Sequence, residues 1–160
     1  MAKRAQPRAE LIGLDADPEV LDRARAKAEA AGVSLQFDQG LSSELHYPDA
    51  CFDLVVSSLF FHHLRPEDKR STGEQIARVL KPGGKLHVAD WGRPADPPMR
   101  ILSTQVRLLD GSEPTRDNLS GALPDILEQG GLADSAETGR LRTAFGTLAF
   151  YVAERPGSPA

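Results

Sequence analysis

The run Phe52–Leu64, FDLVVSSLFFHHL, restricts the fold more than any other stretch of the chain. Its apolar β-forming residues stop abruptly at two serines, two phenylalanines and a pair of histidines. A buried strand that opens into polar groups at its carboxyl end is where an open α/β sheet places its ligand. Chemistry is therefore expected at Ser57–His63, and the rest of the chain has to supply a sheet around it.

The pattern on either side does so. Glu10–Leu14 reads as a strand with Asp15 at its tip, and Asp17-Pro18 starts a helix, the aspartate as cap and the proline at the first helical position. Leu21, Ala24, Ala28 and Ala31 share one face of that helix, which Gly32 closes. Val33–Phe37 is the next strand, followed by a polar loop through Asp49. After the histidines, a helix runs from Pro66 with Ile76, Val79 and Leu80 inward, and Lys81-Pro-Gly-Gly is expected to stop it. Gly73 lies where the apolar stripe wants a side chain, which predicts a weak point. Lys85–Ala89 is a strand tipped by Asp90, Trp91 and Gly92. Helices are predicted over about 99–109 and 116–129, and two closing strands, through Leu141 and then Gly146–Ala153, are spaced to pair antiparallel. Strands alternating with helices imply an α/β fold, mostly parallel with an antiparallel edge.

Length and composition fit one domain over residues 1–154 with a frayed tail at 155–160. A net charge of −4 provides no basic footprint, so no nucleic-acid partner is expected. One cysteine, Cys51, excludes an intramolecular disulfide; no apolar run has the length of a membrane span, and the amino terminus lacks the apolar core of a signal peptide. A cytoplasmic location is expected, and no metal site.

In order, the acid-tipped strand IGLDADPEVL, the segment YPDACFDLVVSSLFFHHL and RVLKPGGKLHVADWG resemble a class I S-adenosylmethionine-dependent methyltransferase. The similarity is to the small-molecule type 11 group, near the ubiquinone and menaquinone methyltransferases, and covers Glu10–Gly92. It implies a Rossmann-like sheet of strand order 3-2-1-4-5-7-6, S-adenosyl-L-methionine as cofactor, a small-molecule methyl acceptor and transfer by direct displacement from the sulfonium. Asp15 would then meet the ribose hydroxyls, with Ala16 near the adenine, Gly40 and Leu41 bordering it, and Ser57 and Ser58 toward the methionine end. Where Leu41 stands, the family often has an aspartate.

The resemblance also implies an omission. Family members open with a strand and a G-x-G loop, and none of the fourteen glycines here forms that motif. The first strand and most of the first helix, about 30 residues, are expected to be missing, with Met1 internal to a longer reading frame. Loss of a central strand would leave an open sheet edge that invites a homo-oligomer. A second reading is accordingly a non-catalytic methyltransferase remnant acting through that edge. A Rossmann oxidoreductase is the third, disfavoured by the absence of G-x-G-x-x-G.

Among the candidate residues, one of His62 and His63 is expected under the following helix and the other toward the pocket, as substrate contact or general base. Phe60, Asp90 and Trp91 are substrate-side candidates. Each has a plainer alternative: a packed aromatic, or, for Asp15, a helix-entry acid.

Overall fold

A computed structural model describes residues 9–102 and 112–157, with side chains of the second stretch described from residue 115. Contacts divide the chain into two compact units, Met1–His46 and Tyr47–Ala160. No helix among the described residues is long and apolar enough to cross a membrane.

The first unit holds β1 (Ile12–Asp15), α1 (Pro18–Ala30) and β2 (Gln36–Gln39). The strands pair in parallel, Ile12 opposite Gln36 through Asp15 opposite Gln39. The predicted cap is present: the Glu19 amide donates to Asp17 Oδ1 at 2.8 Å, and Pro18 follows the cap. The second strand starts three residues later than predicted. The Val33 amide donates back to the Ala28 carbonyl, so the helix end holds Val33 and extended chain resumes only afterwards.

The second unit holds β3 (Phe52–Ser58), a 3-10 turn (Phe61–His63), α2 (Pro66–Val79), β4 (Leu80–Trp91), helical residues 97–102, α3 (Ser112–Ser120), α4 (Leu123–Gln129), β5 (Ala133–Arg142) and β6 (Thr147–Glu154). Its sheet has the order β3-β4-β6-β5: β3 parallel to β4, then β6 antiparallel to both β4 and β5. These four strands reproduce 4-5-7-6 of the expected order, and β1 with β2 reproduces the 2-3 pair. Among the described residues no strand corresponds to the first of that order.

Alternation divides the four-stranded sheet into two unlike faces. Val55 and Ser57 of β3, Leu86, Val88 and Asp90 of β4, and Ala149, Tyr151 and Ala153 of β6 stand on one face by register. The core packs there, with Phe61, Ile76, Leu123 and Leu127 laid over Leu86, Val88 and Tyr151. On the other face Leu54 is 51% and Val56 66% exposed.

Three expectations change. Lys81-Pro-Gly-Gly does not sit outside the strand as a stop, because β4 already begins at Leu80. Gly83, at φ +76°, donates its amide to the Arg155 carbonyl, and the Arg155 amide donates to Gly84, so the turn is stitched to the chain end. The helix expected over 116–129 is two helices, divided by Gly121 at φ +85°. Of the helix expected over 99–109, residues 97–102 are helical and the remainder lies outside the described residues. Gly73 is where α2 meets Gly130 at the end of α4, and it is Gly130 whose missing side chain this close approach requires.

Candidate functional site

β3 ends at Ser58, and Leu59 then takes a left-handed φ of +50°, a conformation that costs a branched residue about 1–3 kcal/mol. Its amide is held by the Ala89 carbonyl at 2.8 Å, which fixes the bend. The bend swings the next residues over the tip of β4, and Asp90 gathers them. Asp90 Oδ2 accepts the amides of Phe60 at 3.1 Å and His62 at 3.3 Å. Asp90 Oδ1 accepts the Trp91 amide at 2.7 Å and meets His62 Nδ1 at 2.5 Å. A carboxylate only accepts, so the proton of this contact sits on Nδ1. The pair is enclosed, His62 being 3% exposed and Asp90 fully buried. In such surroundings a charge-assisted bond is worth more than at a wet surface.

His63 occupies the outer position. It is exposed, and its ring lies 3.9 Å from that of His62, tilted by 42°. The Trp91 indole, half-buried, meets His62 edge-on at 6.2 Å. Phe60 is half-buried and touches Phe61, which is fully in the core. His62, His63, Phe60, Asp90 and Trp91 are therefore one cluster, joined by a loop and a strand tip.

A second enclosed polar pair joins α2 to α3. Lys69 of α2 is fully buried, and its ammonium meets Asp117 Oδ2 of α3 at 3.3 Å. Burial pulls the Lys69 pKa below its ordinary value; the charges of Asp117 and Asp90 push back. Tyr151 of β6 is also enclosed, its hydroxyl has no hydrogen-bond partner among the described residues, and burial, followed by the charges of Glu137 and Asp90, raises its pKa. Sequence reasoning passed over Lys69, although 69, 72, 76 and 79 are the buried stripe of α2 at 3-4-3 spacing. A lysine on the inward stripe of an amphipathic helix was the available signal.

The residues expected near a cofactor fall in two groups. At the carboxyl ends of β1 and β2, Asp15 spends Oδ1 on the Asp17 amide at 2.9 Å, leaving its other oxygen open to a hydroxyl donor. Ala16 is exposed and its carbonyl accepts from Gln39 Nε2 at 3.1 Å, Gly40 donates its amide to the Asp15 carbonyl, and Leu41 is exposed. At the tip of β3, Ser57 Oγ is enclosed without a partner among the described residues, while Ser58 is exposed on the opposite face. Each unit thus has, among the described residues, one polar oxygen at a strand tip that receives no hydrogen bond: a carboxylate oxygen of Asp15 in the first and the Ser57 hydroxyl in the second. Among the described residues no group of His, Cys, Asp and Glu is arranged to hold a metal.

Comparison with known proteins agrees with the fold. A family profile described as a methyltransferase domain matches residues 1–84. A demethylmenaquinone methyltransferase of Deinococcus radiodurans is 38% identical over 93 residues, 58% of this chain and 38% of the relative. The uncharacterized methyltransferase YcgJ of Bacillus subtilis is 34% identical over 113 residues, 69% of this chain and 44% of the relative. The crystal structure of YcgJ superposes with a TM-score of 0.73 at 21% identity over the aligned structures, covering 94% of this chain and 83% of that one. An S-adenosylmethionine-dependent methyltransferase structure from Methanosarcina mazei gives 0.74 at 18% identity, covering 98% and 87%. The chain thus spans less than half the length of these two curated relatives. With the sheet order and the profile in agreement, the chain belongs to the class I S-adenosylmethionine-dependent methyltransferases.

Proposed function

We propose that this chain carries the acceptor side of a small-molecule methyltransferase, in which His62, oriented by Asp90, takes the proton that the acceptor loses. The observation behind this reading is the 2.5 Å contact between two enclosed groups at a strand tip, His62 Nδ1 and Asp90 Oδ1. S-adenosylmethionine supplies a methyl group already activated on a sulfonium. What remains for the protein is to hold the acceptor in line, which positioning alone accelerates greatly. Asp15 and Ala16 would hold the ribose and adenine, Gly40 and Leu41 would border the base, and Ser57 and Ser58 would face the methionine end. Phe60 and Trp91 would flank the acceptor, with His63 as its exposed polar contact.

A base matters when the acceptor must shed a proton. Two relatives, from Deinococcus radiodurans and Thermus thermophilus, are named demethylmenaquinone methyltransferases. Methylating a ring carbon of such an acceptor forms a C–C bond and expels a ring proton, and His62 Nε2 would receive it while Asp90 stabilises the imidazolium. The test is binding of S-adenosylmethionine by calorimetry, then methyl transfer to a reduced demethylnaphthoquinone. Binding that weakens about tenfold or more in Asp15→Ala supports the cofactor assignment. Transfer that is unaffected in His62→Gln would remove the proposed base.

A second reading rests on the edge of the four-stranded sheet. β3 pairs only with β4 among the described residues, and Leu54 and Val56 are exposed along it. An open strand of this kind templates pairing with another chain. The reading is an oligomerising module without catalysis; it expects a dimer by sedimentation and no cofactor binding.

A further inference from the structure

We propose that Gln39 determines specificity for the base of the cofactor, its pinned side-chain amide reading the adenine edge where Leu41 offers no acceptor. The inference rests on the proposed placement of the ribose and adenine at the ends of β1 and β2, and adds a residue to that site.

Gln39 ends β2 and is the register partner of Asp15 at the end of β1. Register partners on adjacent strands stand on the same side of a sheet, so the two side chains leave the strand tips together. Gln39 Nε2 then crosses to the neighbouring strand and donates to the Ala16 carbonyl at 3.1 Å. The acid one residue earlier, Asp38, points to the opposite side, where both of its oxygens accept from Gln36 Nε2 at 3.0 Å. Leu41 is exposed and has no polar side-chain atom.

The bond to Ala16 decides which way the amide faces. A carbonyl only accepts, so the nitrogen is turned toward Ala16 and Oε1 away from it. Among the described residues Oε1 receives no hydrogen bond, and the nitrogen has a second N–H to give. An acceptor beside a donor is therefore left open, next to the Asp15 oxygen that is also open. Adenine presents the complementary pair, an amino group beside a ring nitrogen, and a glutamine amide matches that edge with two hydrogen bonds. The ribose hydroxyls are the donors that remain for Asp15.

The pinning converts a contact into discrimination. A free glutamine could turn its amide by half a rotation and serve equally well a purine with an oxygen in place of the amino group. Here the same rotation would withdraw Nε2 from the Ala16 carbonyl and set two carbonyl oxygens against each other. Without the rotation, the purine oxygen meets Oε1 and both acceptors lack a donor. Asp15 makes no such distinction, since the ribose is the same in both nucleosides.

The test is calorimetric binding of S-adenosylhomocysteine and of its deaminated counterpart, S-inosylhomocysteine, to the full 160-residue chain. The adenosyl compound is expected to bind about tenfold or more tighter. Gln39→Leu should bring the ratio to about one, and because Gln39 is exposed the change leaves the fold intact. Asp15→Ala should weaken both compounds alike and preserve the ratio. Equal binding by the unaltered chain, or a preference that survives Gln39→Leu, would overturn the role of Gln39 and leave the cofactor site standing; a Gln39→Leu chain that loses both compounds equally assigns Gln39 to holding Ala16 alone, and overturns it too. If the unaltered chain binds neither compound, the proposal is overturned together with the cofactor site on which it rests.

Discussion

A β-carbon placed on Gly130 would lie 2.9 Å from the Cα of Gly73, closer than any real side chain approaches a backbone. The reverse is not true, since a β-carbon on Gly73 would stand 3.4 Å from Gly130 Cα, an ordinary contact. Gly130→Ala is thus expected to lower stability by about 1–3 kcal/mol through overpacking. Gly73→Ala should instead be neutral or stabilising by up to about 1 kcal/mol, because alanine suits the middle of a helix. Urea denaturation of both variants checks the asymmetry, and equal losses would count against this packing.

Gly92 poses a sharper version of the same constraint. Its β-carbon would lie 2.3 Å from that of Ala149 on β6, and 3.1 Å from Tyr151 Oη. Gly92→Ala is expected to cost about 2 kcal/mol or more, with Ala149→Gly in the same chain recovering part of it. A double-mutant cycle by thermal denaturation measures the coupling.

Asp90 supports both the loop and the base. In Asp90→Asn the amide presents N–H groups to donors that need an acceptor, so about 1–3 kcal/mol of stability should be lost. Turnover should fall by about 100-fold or more, as His62 loses the partner that fixes its tautomer. His63→Gln should affect KM for the acceptor more than kcat. Steady-state kinetics on the folded variants separates these outcomes.

Tyr151 yields a pH dependence with a definite sign. Its folded pKa is raised above the ordinary 10.0, so above about pH 10 the unfolded chain releases a proton that the folded chain retains. Stability is therefore fully present below that pH and declines as pH rises through it. Lys69 acts the other way: its folded pKa lies below 10.5, so its penalty on folding fades as pH approaches that value. Tyr151→Phe removes an unpartnered hydroxyl, and is expected to leave neutral stability unchanged or up to about 1 kcal/mol higher while flattening the alkaline decline. Urea midpoints near pH 8 and pH 11 test it.

The sequence carried the strand-and-helix order because each element announces itself locally: Asp17-Pro18 for α1, the 52–58 run for β3, the paired closing strands. It carried the cluster at His62 and Asp90 as separate candidates, since each ends a strand on the ligand side. What it could not carry was their pairing, which depends on Leu59 entering a conformation that nothing in its side chain favours. Lys69 was missed because a lysine is ordinarily solvated, and only α3, 48 residues further on, brings Asp117 to it. The contact of Gly73 with Gly130 was hidden for a related reason, since it joins residues 57 positions apart and helix propensity does not register it.

Trp91 is the sole tryptophan, and its indole stands edge-on to the His62 ring 6.2 Å away. An imidazolium withdraws emission from a nearby indole far more effectively than a neutral imidazole does. The chain consequently contains its own optical indicator: intrinsic fluorescence, read at a single wavelength without any label, should dim as the proposed base takes up its proton.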